Sequence, residues 1–323
     1  MKHQISCSNP ASKEIEPDTN GMFVFGSSLV DNGNNNFLMD KTNSVDYLPY
    51  GIDFPLGPSG RYTNGKNVID ELGELLKLPF IPPFKHPTTK GHNILHGVNF
   101  ASGGSGILDD TGTPGTVITM RQQVKNFEKD TLSQLGHQLG HTSTNSLISS
   151  GILSKYLFVI GVGGNDYLLN YLKSNHPGLI SFEAFTANMT MELSNELKMG
   201  CFLPLNKAVS LYNSHLKFLV DVLKPKMPGS NLVYVNSYDI ISDIIKNPNP
   251  RGFNDIRNAC CELNESGVLC KRGGKACGDR NSHVFFDGLH PTEAVNKLIA
   301  KSAYDSSSSV ETYPMNVQAL AKL

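Results

Sequence analysis

The sequence predicts an α/β fold with a mainly parallel sheet that helices cover on both faces. Two observations support this prediction: short apolar runs typical of buried strands, and helical periodicity in the segments between them. The 323 residues carry 28 Lys and Arg against 29 Asp and Glu, so we expect no basic surface for nucleic acid. No apolar run reaches the ~18 residues that a membrane span needs. We therefore expect a soluble, globular protein.

The first half of the chain contains two predicted strands and one predicted helix. Residues 22–26 (MFVFG) form an apolar run that stops just before Ser28, and residues 94–101 (ILHGVNFA) lead into a glycine-rich stretch around Gly104. Residues 68–77 have apolar side chains at helical spacing. Residues 30–65 are rich in Asn, Gly, Pro and Asp, a composition that predicts long loops.

The second half of the chain continues the alternation of strands and helices. Residues 157–161 (LFVIG) predict a third buried strand, which ends shortly before Asn165. Ligands bind at the carboxyl ends of the strands in a parallel sheet, so Ser28, Gly104, Asn165 and Asp166, which follow strand ends, lie where a site should form. The remaining predicted elements are helices at 117–139, 206–223 and 291–303 and a strand at 231–236.

Asp287 and His290 are the candidate acid–base pair, and Ser28 is the candidate nucleophile. An Asp three residues before a His can accept the imidazole Nδ1–H, which leaves Nε2 free to take a proton from a hydroxyl. A serine hydroxyl becomes nucleophilic only when such a base takes its proton. Taken singly, these residues also fit a surface turn and a helix cap.

Gly104 and Asn165 are the candidates for stabilising an oxyanion. A glycine lets backbone N–H groups approach a substrate closely, and the Asn165 side-chain amide offers another donor. Taken singly, a flexible turn and an Asx-turn are the simpler explanations. Residues 161–166 resemble the start of a dinucleotide fingerprint, but Asp166 stands where Gly or Ala is needed, so we expect no nucleotide there.

Four of the six cysteines lie within eighteen residues, at positions 260, 261, 270 and 277. They contain no Cys-x2-Cys pair, so we expect no zinc site. Four cysteines allow three pairings, one of which needs a strained bond between neighbours, and two bridges across a loop are favoured. The cysteines and the glycosylation triplets at Asn188 and Asn264 favour an oxidising compartment. Residues 1–20, however, contain no apolar stretch of the kind that a signal peptide carries.

Six blocks of sequence, in this order, resemble the plant GDSL esterase/lipase family of the SGNH hydrolases. The resemblance runs from about residue 23 to residue 298, and the number of blocks in the right order makes it specific. The blocks are FVFGSSLVDNGNN at 23–35, YGIDFPLGPSGR at 50–61, GVNFASGGSG at 97–106, FVIGVGGNDY at 158–167, NACC at 258–261 and FDGLHPTEA at 286–294.

The resemblance implies a three-layer α/β/α sandwich with a flavodoxin-like parallel sheet. It implies that Ser28 is the nucleophile, that His290 is the general base and that Asp287 orients His290. It further implies an oxyanion hole made by the backbone N–H groups of Ser28 and Gly104 and by the Asn165 side chain. No metal or organic cofactor is implied, and the expected partner is a small-molecule ester or lipid substrate.

The chain departs from the family pattern at three places. Ser27 stands where the family has the Asp of its Gly-Asp-Ser-Leu motif, and we expect reduced activity, which a comparison of turnover with the Ser27→Asp variant tests. Residues 192–206 run almost directly into the helix at 206–223, so a stretch that includes one sheet strand is expected to be absent. The family's secretion signal is also missing, so the resemblance implies an extracellular protein, while the sequence as written leaves an intracellular location open.

We expect residues 21–305 to form the hydrolase domain, after an irregular segment at 1–20 and before a C-terminal tail at 306–323. The expected function is hydrolysis of carboxylic esters, with lipid acyl esters as the broad default. The same residues would serve an acetyl esterase or an acyltransferase. A catalytically weak or silent relative that binds a ligand is the alternative outside the enzymes, favoured by Ser27 and the missing strand.

Overall fold

The computed structural model describes residues 19–171, 184–186, 188–189, 205–227 and 229–323. Three parallel strands form its central sheet in the order β2–β1–β3, namely β1 (Gly21–Gly26), β2 (Gly97–Asn99) and β3 (Tyr156–Gly161). The three strands lie where the sequence predicts them. Strand β2 is shorter than predicted because Gly91–Ile94 form a 3-10 turn ahead of it.

Helices lie on both faces of this sheet, as in an α/β/α sandwich. The α-helices of the described residues are α1 (Val68–Leu75), α2 (Met120–Asn126), α3 (Leu132–Gln138), α4 (Thr144–Ser149), α5 (Leu205–Leu223), α6 (Ser237–Lys246), α7 (Glu293–Asp305) and α8 (Val317–Ala321). A π-helical turn, Phe127–Thr131, joins α2 to α3, so the predicted helix at 117–139 is one nearly continuous element. Within the described residues no helix combines the length and apolarity that crossing a bilayer requires.

Strand β1 divides the core into its two layers because successive side chains of a strand point to opposite faces. Met22 and Val24 pack against α1 and α7, where Leu72 and Ala300 belong to the same buried cluster. The alternate residues of β1 pack on the other face, and their buried partners there are Val98, Phe100, Met120, Leu132, Leu135 and Leu147. All six residues of β1 are therefore buried.

Four further short strands in the described part of the chain lie outside the central sheet. β5 (Asp255–Ala259) and β6 (His283–Phe285) pair in parallel, and β6 leads directly into Asp287. β4 (Tyr234–Val235) pairs antiparallel with β7 (Thr312–Tyr313). The predicted strand at 231–236 is thus confirmed in place, but its partner is the C-terminal segment and not a parallel neighbour.

The C-terminal segment 306–323 packs onto the rest of the chain. It supplies β7 and α8, and Val317 of α8 belongs to the buried cluster beneath β1. Residues 190–204 lie outside the described part of the chain, so the predicted loss of a strand near 192–206 stays a prediction.

Candidate active site

Ser28 follows β1 on a turn whose backbone is tightly fixed. Gly26, the last residue of β1, has a φ of 140°, and a Cβ there would lie 2.1 Å from the Gly161 carbonyl oxygen, so only glycine fits. The fully buried Gln123 side chain accepts from the Gly26 N–H at 2.8 Å and donates to the Gly26 carbonyl at 2.9 Å. This clamp fixes the backbone two residues before Ser28.

His290 and Asp287 lie on the turn after β6, 262 and 259 residues beyond Ser28 in sequence, and meet it in space. His290 Nε2 lies 2.8 Å from Ser28 Oγ, and His290 Nδ1 lies 2.8 Å from Asp287 Oδ2. The turn is held by the same carboxylate, because Asp287 Oδ1 accepts the backbone N–H groups of Leu289 and His290 at 2.8 and 2.6 Å. The three predicted residues therefore form one continuous hydrogen-bonded chain.

The surroundings of these three side chains favour the ionised form of Asp287. Burial acts to raise the pKa of the Asp287 carboxyl, but the charge of His290 and hydrogen bonds from His290 and Tyr50 outweigh it, so the pKa is lowered. Asp287 is fully buried and His290 nearly so. The Tyr62 ring lies 4.9 Å from the imidazole, between ring centroids, and supports one side of it.

The predicted oxyanion donors lie on two loops that converge on the end of β1. Ser105, next to Gly104, donates from its hydroxyl to the Gly26 carbonyl at 2.8 Å, and the Asn165 side-chain amide donates to the Ser105 carbonyl at 2.8 Å. Gly104 has a φ of 88°, a left-handed conformation that favours glycine. Within the described part of the chain, the backbone N–H groups of Ser28 and Gly104 donate to no protein acceptor.

Asp31 is a functional candidate that the sequence analysis did not single out. Its carboxylate is completely buried and accepts three backbone N–H groups, those of Gly33 and Asn34 on its own loop and that of Gly103 at 2.9 Å. Burial raises the pKa of Asp31 to about 6, although these three hydrogen bonds and the charge of Arg61 lower it. Asp31 thereby ties the loop of Ser28 to the loop of Gly104. The sequence signal that could have identified Asp31 is its position inside the first family block, at 23–35.

Asp166 performs a similar task on the Asn165 side of the site. It is completely buried and accepts the backbone N–H groups of Ile107 and Leu108, both at 2.9 Å, and the Thr111 hydroxyl at 2.7 Å. Burial raises the pKa of Asp166 to about 6. The segment after Gly104 is thereby anchored to the residue that follows Asn165.

Tyr50 is a second residue whose contact with the site the sequence did not reveal. Its hydroxyl donates to Asp287 Oδ2 at 2.6 Å across 237 residues of sequence. Tyr50 opens the second family block, YGIDFP, but nothing in that pattern indicates which side chain the ring faces. The contact exists only in the folded chain.

The Ser27 side chain points toward the third strand. Its hydroxyl lies 3.5 Å from the Gly161 carbonyl oxygen, which also accepts the Ser27 backbone N–H at 3.0 Å. The backbone bond joins the ends of β1 and β3 without using the side chain. The expected effect of Ser27 on activity stays a prediction.

The four clustered cysteines form two disulfides, Cys260–Cys277 and Cys261–Cys270. The structure thereby selects one of the pairings that the sequence left open. His283 lies beside the first bridge, with its Nδ1 3.6 Å from Cys277 Sγ. Because both sulfurs of that bridge are bonded to each other, they offer no thiolate to a metal ion.

Comparison with known proteins places the chain in a family. The family model described as GDSL-like Lipase/Acylhydrolase matches residues 22–303. "GDSL esterase/lipase At1g29670" of Arabidopsis thaliana is 35% identical over 339 positions, which cover 93% of this chain and 91% of the relative. "GDSL esterase/lipase 7" from the same plant is 34% identical over 354 positions, covering 98% and 95% of the two chains.

Both alignments are longer than the 323 residues of this chain, so the relatives carry residues that have no counterpart here. "GDSL esterase/lipase At5g08460", also of Arabidopsis thaliana, is 37% identical, with 94% of this chain and 87% of the relative covered. The chain belongs to the GDSL-like lipase/acylhydrolase family and is an ester-hydrolysing enzyme.

Proposed function

We propose that Ser28, His290 and Asp287 form the catalytic triad of this esterase and act through an acyl-enzyme. The observation that carries the proposal is the unbroken contact from Ser28 Oγ to His290 Nε2 at 2.8 Å and from His290 Nδ1 to Asp287 Oδ2 at 2.8 Å. This is the geometry in which an imidazole accepts the proton of an attacking hydroxyl.

In the first half of the reaction the ester acylates Ser28. His290 Nε2 takes the hydroxyl proton while Ser28 Oγ attacks the ester carbonyl carbon, and the carbonyl oxygen becomes an oxyanion. The backbone N–H groups of Ser28 and Gly104 and the Asn165 amide donate to this oxyanion. As the tetrahedral intermediate collapses, the bond to the alcohol oxygen breaks, and the alcohol leaves with the proton from His290.

In the second half water releases the acyl group. His290 Nε2 takes a proton from water, and the resulting hydroxide attacks the acyl carbonyl carbon through the same oxyanion site. The bond to Ser28 Oγ then breaks, and His290 returns the proton to Ser28. Asp287 stabilises the imidazolium form of His290 in both halves, so the enzyme ends in its starting protonation state.

An apolar acyl group, as in lipid esters, is the substrate class that fits the surface beside the triad. Leu29 follows Ser28 and is 36% exposed, while Leu289 precedes His290 and is 39% exposed. Two exposed leucines next to the reacting side chains offer apolar surface for an acyl chain. A series of p-nitrophenyl esters tests this choice. We expect kcat/KM to rise from the acetyl to the octanoyl ester, and a preference for the acetyl ester would contradict it.

The disulfides and the Asn264 triplet support export of the protein and attachment of a glycan. Asn264 is half-buried at the start of an exposed turn, where the Ser266 hydroxyl donates to the Asn264 side-chain oxygen at 2.7 Å. Expression through a plant secretory pathway should give a protein whose mass falls on glycosidase treatment, with the Asn264 glycan absent from the Asn264→Gln variant. Identical peptide masses at Asn264 before and after treatment would refute the modification.

Intact mass after treatment with a fluorophosphonate probe tests the triad. The probe phosphonylates only an activated serine, so we expect one adduct on the wild-type chain and none on Ser28→Ala. Ser27→Ala is the matched control, because it removes a neighbouring hydroxyl that does not contact His290, and it should still take one adduct. A wild-type chain that folds cooperatively yet takes no adduct would overturn the proposal.

A further inference from the structure

Tyr50 lies buried against the carboxylate of the proposed triad. Its hydroxyl donates to Asp287 Oδ2 at 2.6 Å, the same oxygen that lies 2.8 Å from His290 Nδ1. We propose that Tyr50 is a positioning residue for ester hydrolysis, which holds the Asp287 carboxylate in place for His290. This inference rests on the proposed function of Ser28, His290 and Asp287.

The direction of the Tyr50 hydrogen bond is fixed by a second contact. The backbone N–H of Cys270 donates to the Tyr50 hydroxyl oxygen at 3.0 Å. An N–H can only donate, so the phenol oxygen is the acceptor there and its single proton is left for Asp287. Burial raises the pKa of Tyr50 far above its usual range, so the phenol stays protonated as a neutral donor.

Cys270 is itself held in place by the hairpin between the cysteines of the second bridge. The disulfide Cys261–Cys270 closes this hairpin, and the Val268 carbonyl accepts the backbone N–H of Gly288 at 2.8 Å. Gly288 packs against the hairpin at a place that leaves no room for a side chain. A Cβ at this position would lie 2.5 Å from the Gly267 carbonyl oxygen. One disulfide-closed hairpin therefore supports both Tyr50 and the turn between Asp287 and His290.

Other charged and titratable groups near Asp287 make different contacts. Tyr62 donates to the Asn43 carbonyl, and Tyr47 donates to the Cys270 carbonyl at 3.0 Å, with Arg272 packed over the Tyr47 ring. The charge of Asp287 contributes to raising the pKa of both phenols, but neither forms a hydrogen bond to Asp287. Within the described residues, Tyr50 and His290 are the side chains that hydrogen-bond to this carboxylate.

The physical consequence concerns the ionisation of Asp287. Burial raises the pKa of this carboxyl, while the charge of His290 and the hydrogen bonds from His290 and Tyr50 lower it and prevail. Removing the Tyr50 hydroxyl takes away one lowering contribution, so the Asp287 pKa rises. His290 acts as a base only while its Nε2 carries no proton, and a more basic Asp287 carboxylate stabilises the imidazolium form. The Asp287–His290 pair therefore takes up the inhibiting proton at higher pH, and activity is lost at a higher pH when the solution is acidified.

The Tyr50→Phe variant tests the proposal with a soluble p-nitrophenyl ester. We expect kcat to fall about 10- to 100-fold with KM within about two-fold of the wild-type value, because a hydrogen bond to a buried charge is lost. The acid limb of the pH profile of kcat/KM should move to higher pH by about half a unit or more. A merely structural role would lower stability without moving this limb.

Tyr47→Phe is the matched control for Tyr50→Phe. It also removes a hydroxyl bonded to Cys270, from a ring that packs edge-on against Tyr50 at 5.5 Å, but it leaves Asp287 untouched. We expect the acid limb and kcat of Tyr47→Phe to match the wild type. Equal effects of the two variants would overturn the inference.

A double-mutant cycle tests whether Tyr50 acts through Asp287, and a modified tyrosine provides a second variant. If Tyr50 acts through Asp287, then Tyr50→Phe lowers kcat far less in an Asp287→Ala background than in the wild type. Should Tyr50→Phe fold poorly, 3,5-difluorotyrosine at position 50 keeps the hydroxyl and makes it a stronger donor, so the acid limb should move to lower pH. An unchanged limb with this substitution would count against the proposal.

The outcomes separate this inference from the proposed function. A wild-type chain without fluorophosphonate adduct or turnover refutes the triad itself. An active wild type, with Tyr50→Phe equal to it in kcat and in the acid limb, refutes only the positioning role of Tyr50.

Discussion

Strands β1 and β3 are neighbours in one sheet and both lead into the candidate active site, yet they are buried to different degrees. All six residues of β1 are buried, whereas Phe158 and Ile160 of β3 are 42% and 39% exposed. Strand β1 pairs on both edges, with β2 and β3, while β3 pairs on one edge within the described residues. Ser28 thus follows the more buried central strand, and Asn165 follows the less covered one.

The difference in burial between β1 and β3 is matched by a difference in how firmly the residues after each strand are held. The end of β1 is restrained by Gln123, by Ser105 and by the close approach of Gly26 to Gly161. The proposed nucleophile thus follows the most restrained backbone, which keeps its hydroxyl within reach of His290. Asn165 instead obtains its orientation from one hydrogen bond to Ser105 and from the anchoring of Asp166 behind it.

The largest expected effect is a loss of stability, and two aromatic residues on neighbouring strands allow it to be compared. Phe23 of β1 is paired in register with Phe158 of β3, and their ring centroids are 5.4 Å apart. We expect Phe23→Ala to lower the free energy of unfolding by about 3–5 kcal/mol, because it empties a fully buried position. Phe158→Ala should cost about 1–2 kcal/mol, because much of that ring already contacts water. Urea unfolding at one pH measures both.

Equal losses of stability in these two variants would break the comparison. They would mean that the outer edge of β3 is covered in solution as completely as β1. Sedimentation of the wild-type chain would then separate coverage by a second copy from coverage within one chain.

A smaller effect concerns the pH dependence of stability near β1. The pKa of Asp31 is raised by burial to about 6, so the folded chain holds a proton at mildly acidic pH that the unfolded chain releases. The stabilisation from this group is therefore present at low pH and is lost as pH rises through about 6. Asp31→Asn lacks this pH dependence. The difference in the free energy of unfolding between the wild type and Asp31→Asn should therefore be larger at pH 5 than at pH 8.

Asp40→Asn is the control for this pH series. Asp40 is exposed, and hydrogen bonds from the Thr42 side chain and backbone lower its pKa, so it stays ionised from pH 5 to pH 8. Its difference from the wild type should stay constant across that range. A constant difference for Asp31→Asn as well would show that Asp31 is ionised throughout, contrary to the raised pKa.

Much of the fold could be predicted from sequence because its signals are local. Apolar runs located β1, β2 and β3, and helical spacing located α1, α5 and α7 to within a few residues. The start of α1 has a local cause, since the Asn67 side chain and Asp70 form a capping box. The strand at 231–236 was located too, but its antiparallel pairing with β7 depends on a segment almost eighty residues away.

The sequence by itself determined the family, the alternating layers and the residues proposed for the reaction, because block order, periodicity and residue type are properties of the chain alone. Only the tertiary structure decided how the cysteines pair, that Tyr50 bonds Asp287 and that Asp31 ties two loops together. These contacts join residues distant in sequence, and no local pattern specifies which buried donor meets which buried acceptor. Packing decides it, because a buried polar group is stable only where the folded chain supplies its partner.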